Sequence, residues 1–239
     1  MVVGINAIDV IDHPDTARPA RPAATVVLVR QGEGDIEVLM IRRHSRTAFG
    51  GMWAFPGGAV EDEDVPPGTA PDPLPAARRA AVRETVEEVG LVVAEEALVW
   101  ISHWLPPAGA PIRFSTWFFV AAAQEGVIEI DHSEVHEHRW LRPSEALASH
   151  NRGEIELVTP TYVTLARLAA HSTVEAALDV SAPSFFATRI AKTTGGVRAC
   201  LYDGDAGYAS GDCEAAGARR RLLMHTAAPW AWEDTVYGV

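Results

Sequence analysis

The segment that most constrains the fold is Pro75–Gly90, which has the residue spacing of an amphipathic helix. Prolines stand at its entry and Gly90 stands where a helix is commonly capped, so the segment predicts a helix over Pro75–Val89. At 100° per residue, the side expected to face the core collects Val82, Thr85, Val86 and Val89. The opposite side collects Glu84, Glu87 and Glu88.

These three glutamates crowd one patch of the helix because they are neighbours at helical spacing. They admit two interpretations. One is an ordinary solvated face, since glutamate favours helices. The other is a site for a hard divalent cation, which carboxylates hold together with substrate phosphates. The upstream turn Phe55–Gly58, "FPGG", favours the second, because glycine lets a backbone carbonyl approach a cation closely.

Strand and helix patterns mix along the first 171 residues and predict an α/β fold. The predicted strands are Ala24–Arg30, Ile36–Arg43, Leu98–Leu105, Arg113–Ala122 and His136–Leu141. Further helices are predicted over Pro143–His150 and Pro160–His171. Residues 1–22, which carry several prolines, are expected to be a flexible lead-in.

The main domain is therefore expected over 23–171, followed by an extension over 172–239. Within the extension, strands are predicted around Val197–Tyr202 and Arg220–His225, with a glycine-rich link between them. We expect the extension to pack on the core or on a second subunit, and the latter would make the protein a homodimer.

Composition narrows the partners and the location. No apolar run reaches the length of a membrane helix, and the N-terminus lacks the order of a secretory signal. The two cysteines provide no disulfide framework, so a cytoplasmic protein with reduced thiols is expected. A net charge of −12 disfavours extended nucleic acid. A small anionic substrate would need a cation or an arginine cluster to bridge it to this chain.

The segment Arg83–Leu91, "RETVEEVGL", resembles the second half of the Nudix box, and "FPGG" resembles its start. The resemblance to the Nudix hydrolase family implies an α/β/α sandwich around a mixed sheet, with Mg²⁺ or Mn²⁺ at the box helix. It also implies that Arg83 orients the glutamates by ion pairing. The metal ligands that it implies are the Gly57 carbonyl, Glu84, Glu87 and Glu88.

Nudix hydrolases cleave a diphosphate joined to another group by attack of water on phosphorus, so the resemblance implies a nucleoside diphosphate derivative as substrate. The long box resembles that of coenzyme A diphosphatase-like members. Pro106 and Pro107 instead lie where ADP-ribose pyrophosphatases tend to carry proline. The alternative function is a Nudix-fold binding or regulatory module that has lost catalysis.

This chain departs from the family pattern between the two halves of the box. The usual glutamate is replaced by Asp64, and eighteen residues separate Asp64 from Arg83 where the pattern has seven. Lengthening a loop is inexpensive, at about 0.6 kcal/mol per doubling. We therefore expect the metal site to survive and the proline-rich spacer to bulge outward. Whether the shorter Asp64 contributes to the metal site stays open.

The remaining candidates lie outside the box. The general base is expected either on the box helix or at Glu134, with Glu137 as the runner-up. Phosphate could be bound by Arg42, Arg43 or Arg113. Trp53 and Phe55 are candidates either for stacking on a base or for the core. Alternation predicts one shared face for His132, His136 and His138, which we expect not to be metal ligands.

Overall fold

The computed structural model describes residues 19–44, 50–65, 73–124 and 126–236. Its largest element is an eight-stranded mixed sheet. The strands are β1 (Arg21–Gln31), β2 (Ile36–Arg43), β3 (Trp53–Ala54), β4 (Gly57–Ala59), β5 (Val99–Leu105), β6 (Phe114–Ala122), β7 (Val135–Leu141) and β8 (Ser184–Ala187). Residues 1–18 of the expected lead-in and residues 66–72 of the spacer lie outside the described residues, so those parts of the two expectations stay predictions. The predicted end of the lead-in at residue 22 was wrong, because Arg21 and Pro22 already pair with β6 and belong to β1.

Strand β1 lies inside the sheet. It pairs antiparallel with β2 and β4, and parallel with β6. Strand β2 also pairs with β7, and β8 pairs in parallel with β5. Successive residues of a strand point to opposite faces, so Val26 and Leu28 join one hydrophobic core while Val27 and Val29 join the other. The sheet therefore buries both of its faces.

Helices cover these two faces. They are α1 (Pro73–Val89), α2 (Pro143–Asn151), α3 (Thr159–Leu168) and α4 (Val174–Leu178). Helix α1 packs Ala77, Ala80 and Ala81 into the core of Val26 and Leu28. The other three helices contribute residues to the core on the opposite face. The predicted α/β/α sandwich around a mixed sheet is confirmed.

The contact between α1 and the sheet is made mainly by alanines. The buried residues of α1 are Ala76, Ala77, Ala80, Ala81, Thr85, Glu88 and Val89. The predicted burial was wrong at two positions, because Val86 is 42% exposed and Glu88 is 1% exposed. Small side chains let the helix axis approach the sheet, so the buried stripe follows the alanines and continues to Glu88 at the helix end.

The chain beyond residue 171 contributes to both the main sheet and a second sheet. Strand β8 belongs to the main sheet and was not predicted. The second sheet is antiparallel and consists of β9 (Arg189–Lys192), β10 (Arg198–Leu201), β11 (Arg220–Met224) and β12 (Ala231–Asp234). Two of these strands match the predicted ones. Cys200, Tyr202 and Leu222 join the core under α2 and α3, so the second sheet packs on the main one.

Candidate active site

The glycine turn is placed by the pairing of β4 with β1. Gly57 has φ +151°, and a Cβ at this position would overlap the carbonyl of Ala24. A Cβ on Gly58 would overlap the carboxylate of Glu84. The backbone of β1 therefore requires a glycine at position 57, whereas at position 58 it is the Glu84 carboxylate that rests directly on the turn.

Arg83 connects the turn, the helix and Asp64. Its Nη1 donates to Glu84 and to Glu87, at 2.9 Å in each case, and its Nη2 donates to the Ala59 carbonyl at 3.0 Å. Its Nε and Nη2 donate to the two carboxylate oxygens of Asp64, at 3.1 and 2.9 Å. The contacts with Glu84 and Glu87 are those that the family resemblance implies for Arg83.

Asp64 is a buried anchor for Arg83. Its side chain is 4% exposed, and its Oδ2 also accepts a hydrogen bond from the backbone N–H of Glu61 at 2.8 Å. Both carboxylate oxygens are therefore engaged within the turn Glu61–Val65 and by Arg83. Asp64 therefore positions Arg83, and Arg83 in turn positions Glu84 and Glu87.

Glu88 forms the buried part of the site. Its Oε2 accepts a hydrogen bond from the Gly57 N–H at 2.8 Å, and its Oε1 lies 2.9 Å from Nη2 of Arg43. Nη1 of Arg43 donates to the Gly57 carbonyl at 2.9 Å. Burial raises the pKa of Glu88 to about 7, although Arg43 and the Gly57 N–H act to lower it. Burial likewise raises the pKa of Glu84, against the opposing effect of Arg83.

Glu134 is brought towards Glu88 by the segment that follows α1. The N–H groups of Glu129 and Asp131 donate to the carbonyls of Val89 and Glu88, at 3.1 and 3.2 Å. This pairing places the turn before β7 at the end of α1. The carbonyl of Glu134 accepts from the His44 N–H at 2.6 Å. The charge of Glu134 contributes to the raised pKa of Glu88, so the two carboxylates lie within electrostatic range.

The runner-up base and one candidate arginine pair with each other. Glu137 lies 3.7 Å from Arg42 and 3.3 Å from Arg139. Arg42 also donates to the Gly51 carbonyl at 3.4 Å. Arg42 and Arg43 are neighbours on β2 and point to opposite faces of the sheet, and Arg43 is the one that reaches the α1 side.

The other candidates are two core aromatic residues and an arginine next to β6. Trp53 is 3% exposed with Arg139 over its ring at 4.8 Å, and Phe55 is 1% exposed against Phe118. Neither ring has a face open to a base in this structure. Arg113 donates to the Pro106 carbonyl at 3.5 Å, at the start of β6.

The three histidines do not share one strand face. His132 lies in the turn before β7, and a register shift opposite Arg42 and Arg43 leaves His136 unpaired in the ladder. The predicted shared face was wrong, because a simple alternation does not allow for a bulge.

The donor set fits a hard divalent cation in kind. Every candidate atom is an oxygen, from the carboxylates of Glu84, Glu87 and Glu88 and the carbonyl of Gly57. Oε1 of Glu88 is buried; its contact with Arg43 is an ion pair, and it accepts no hydrogen bond of good geometry within the described part of the chain. Over the same residues no three His, Cys, Asp or Glu side chains are grouped as a ready metal site. The carboxylates instead form ion pairs with Arg43 and Arg83.

This fold belongs to a known family. The profile of the NUDIX domain family matches residues 19–160, and the chain belongs to that family. The crystal structure of a NUDIX hydrolase from Alicyclobacillus acidocaldarius superposes with a TM-score of 0.61 at 28% identity, over 70% of this chain and 97% of that one. The family and fold predicted from the box are therefore confirmed.

Two curated relatives bear hydrolase names. An RNA pyrophosphohydrolase of Dinoroseobacter shibae is 32% identical over 41% of this chain and 64% of its own length. The putative nudix hydrolase 7 of Caenorhabditis elegans is 26% identical over 62% of this chain and 60% of its own. This chain thus spans less than two thirds of either relative. The coenzyme A-like subclass stays a prediction.

The sequence interpretation missed the contacts that hold the site together. Arg43 was considered only for phosphate binding, whereas it contacts two implied metal ligands. Its position on β2 was a usable signal, because alternation from buried Leu39 and Ile41 places Arg43 on the α1 side. The pairing of Asp64 with Arg83 had no comparable signal, since the spacer between them has no periodicity.

Proposed function

We propose that this chain is a Mg²⁺- or Mn²⁺-dependent Nudix pyrophosphohydrolase that cleaves the diphosphate linkage of a nucleoside diphosphate joined to another group. The observation that carries the proposal is the assembly of Glu84, Glu88 and the Gly57 carbonyl at one end of α1. Family membership and the names of the hydrolase relatives support the same reaction class.

The cation would be held by Glu84, Glu87, Glu88 and the Gly57 carbonyl. When bound, such an ion neutralises phosphate oxygens and makes a bound water more acidic. Arg83 holds Glu84 and Glu87 in place, and Asp64 holds Arg83. Glu134 is the proposed general base, because the segment after α1 brings it near Glu88 and its side chain lies in an exposed turn.

The substrate is proposed to be a small molecule of coenzyme A-like or ADP-ribose-like chemistry. The net charge of −12 disfavours a long anionic polymer as substrate. RNA, named for one relative, is therefore the less favoured substrate and is included in the substrate panel. Arg43 is the candidate arginine that stands at the carboxylates, and we assign it to a substrate phosphate. Arg42 and Arg113 stay candidates for more distant parts of the substrate.

The proposal also covers the location, the domain limits and the oligomeric state of the enzyme. Among the described residues, no helix is long and apolar enough to cross a membrane. Cys200 and Cys213 are free and buried, which suits reduced thiols in a cytoplasmic enzyme. We propose 23–171 as the catalytic domain and 172–239 as an extension that supports its core. A homodimer would be tested by light scattering of the purified chain.

A substrate panel tests the proposal. Phosphate-bond hydrolysis would be measured for coenzyme A, ADP-ribose, dinucleoside polyphosphates and a 5′-triphosphorylated RNA, with Mg²⁺, with Mn²⁺ and with EDTA. The expected result is metal-dependent turnover of one small-molecule class, lost in Glu88→Gln and Glu84→Gln. Ligand binding without turnover under every metal condition would support the binding-module alternative instead.

A further inference from the structure

Arg43 occupies the space between two of the oxygens assigned to the cation. Its Nη1 donates to the Gly57 carbonyl and its Nη2 pairs with Oε1 of Glu88, both at 2.9 Å. The Arg43 side chain is 15% exposed and the Glu88 side chain is 2% exposed. Within the described residues, the Arg43 guanidinium contacts the Gly57 carbonyl and Glu88. Arg43 therefore supplies the positive charge at this point when no metal is bound.

A buried carboxylate needs a positive partner, since transfer of an unpaired charge out of water is strongly unfavourable. A divalent cation bound to Glu88 and Gly57 would provide that charge and would repel a guanidinium on the same oxygens. We propose that Arg43 is an exchangeable counter-ion, which holds these two oxygens in the metal-free protein and leaves them when the cation binds. This inference rests on the proposed function for the place of the cation.

Arg83 does not share this property. It too contacts candidate ligands, through Glu84 and Glu87, but its other hydrogen bonds go to Asp64 and to the Ala59 carbonyl. Those two partners are not among the proposed ligands, so they keep Arg83 in place whether or not a metal is bound. The exchange is therefore specific to Arg43.

Exchange gives the arginine a second task. Arg43 ends β2 beside the carboxylates, and a displaced guanidinium there is suited to a phosphate oxygen pair. Cation binding would free Arg43 for the substrate, so a cation and a phosphate group would strengthen each other's binding. The metal-free and metal-bound proteins would then differ in the partners of one side chain, Arg43.

Mn²⁺ titration without substrate tests the exchange. Isothermal calorimetry at pH 8 would compare the wild-type chain with Arg43→Gln, Arg43→Lys and Arg42→Gln. Arg43→Gln is expected to bind Mn²⁺ about tenfold more tightly, because the guanidinium no longer competes with the ion for the Gly57 carbonyl and Glu88. The metal-free form of this variant should also melt at a lower temperature. Arg43→Lys should stay near the wild type, and so should Arg42→Gln, whose side chain lies on the other face.

Each outcome decides a different claim. Equal or weaker Mn²⁺ binding by folded Arg43→Gln would overturn the exchange and leave the proposed metal site intact. Absence of Mn²⁺ binding in the wild type would overturn both. A crystal of the wild-type chain soaked in Mn²⁺ tests the exchange without a substitution. The exchange predicts that Arg43 has left the Gly57 carbonyl there, and a bound ion with that hydrogen bond unchanged would contradict it.

Discussion

Arg83 and Asp64 form a two-point contact, with Nε and Nη2 of the arginine 3.1 and 2.9 Å from the two carboxylate oxygens. The contact joins the two halves of the interrupted box, because Asp64 precedes the proline-rich spacer and Arg83 follows it. Hydrogen bonding to Asp64 is the main reason that the pKa of Arg83 is raised. The interruption has therefore kept the connection on which the orientation of Glu84 and Glu87 depends.

Replacement of Asp64 by Asn should lower stability and turnover together. A buried partner charge is lost and Arg83 is left without its anchor, so we expect a loss of roughly 2 to 4 kcal/mol in unfolding free energy. The rate kcat should fall while KM changes little, since Asp64 does not face the substrate. Urea unfolding and steady-state kinetics measure the two effects.

The neighbouring Glu63 provides the matched control for this prediction. Glu63 lies 3.7 Å from the same Arg83, but its side chain is 74% exposed. Exposed ion pairs contribute little, so Glu63→Gln should keep both stability and kcat. Equal losses in the two variants would show that net charge near Arg83, and not the buried contact, governs the site.

The two glycines of the turn should respond differently to alanine. In Gly58→Ala the new Cβ meets the end of the flexible Glu84 side chain, which can move aside. We expect a stability loss below about 1 kcal/mol, together with weaker Mn²⁺ binding and a reduced kcat. The readouts are urea unfolding and Mn²⁺ calorimetry.

Gly57→Ala is the contrasting case. Its Cβ would overlap backbone atoms of Ala24 and Thr25, and its φ of +151° disfavours any side chain. We expect a loss of several kcal/mol or failure to fold, seen as a lowered melting temperature or insoluble protein. A Gly57→Ala protein as stable as Gly58→Ala would mean that the turn is not held against β1 as described.

Local sequence patterns predict most of the main sheet. Strands β1, β2, β5, β6 and β7 carry long apolar runs or alternation, so their bounds agree with those predicted to within three residues at β1 and one residue at the others. Strand β8 has four residues and α4 has five, which is too short for a period to be recognised. Their positions are decided by packing on distant residues.

The same distinction holds at the candidate site. Glu84, Glu87 and Glu88 are identified by their spacing within one helix and by the box resemblance. Their different burial is not predicted by the sequence. The Glu87 side chain is 55% exposed, whereas Glu88 is enclosed by the turn and by Arg43. Which of three adjacent glutamates is buried depends on how closely the alanines of α1 approach β1, and this is a tertiary property.

Phe186 should be essential to the core although it lies beyond the predicted domain limit of 171. Its ring stacks on Trp104 at 4.0 Å, and it is 1% exposed. Phe186→Ala should cost about 3 to 5 kcal/mol in unfolding free energy. Ile190→Ala is the control, since Ile190 is 38% exposed on β9. A small effect of Phe186→Ala in urea unfolding would indicate that 172–239 is a separate unit.

His103 should make the stability of the protein depend on pH. Burial lowers the pKa of His103 to about 4, with the ring between Trp117 and Phe185 and 2.8 Å from the Ser115 hydroxyl. Below pH 6.5 the unfolded chain binds a proton that the folded chain does not, so stability falls as the pH decreases towards 4. We expect the contribution of His103 to fall by about 1 kcal/mol between pH 7 and pH 5, after allowance for partial exposure. The raised pKa of Glu88 acts in the opposite direction over the same range, so the effect is measured as the difference between wild type and variant.

In urea unfolding, the His103→Gln variant should lose this part of the pH dependence. The control is His136→Gln, which replaces an exposed histidine and should retain it. Identical pH profiles for the wild type and His103→Gln would show that the folded chain protonates His103 readily.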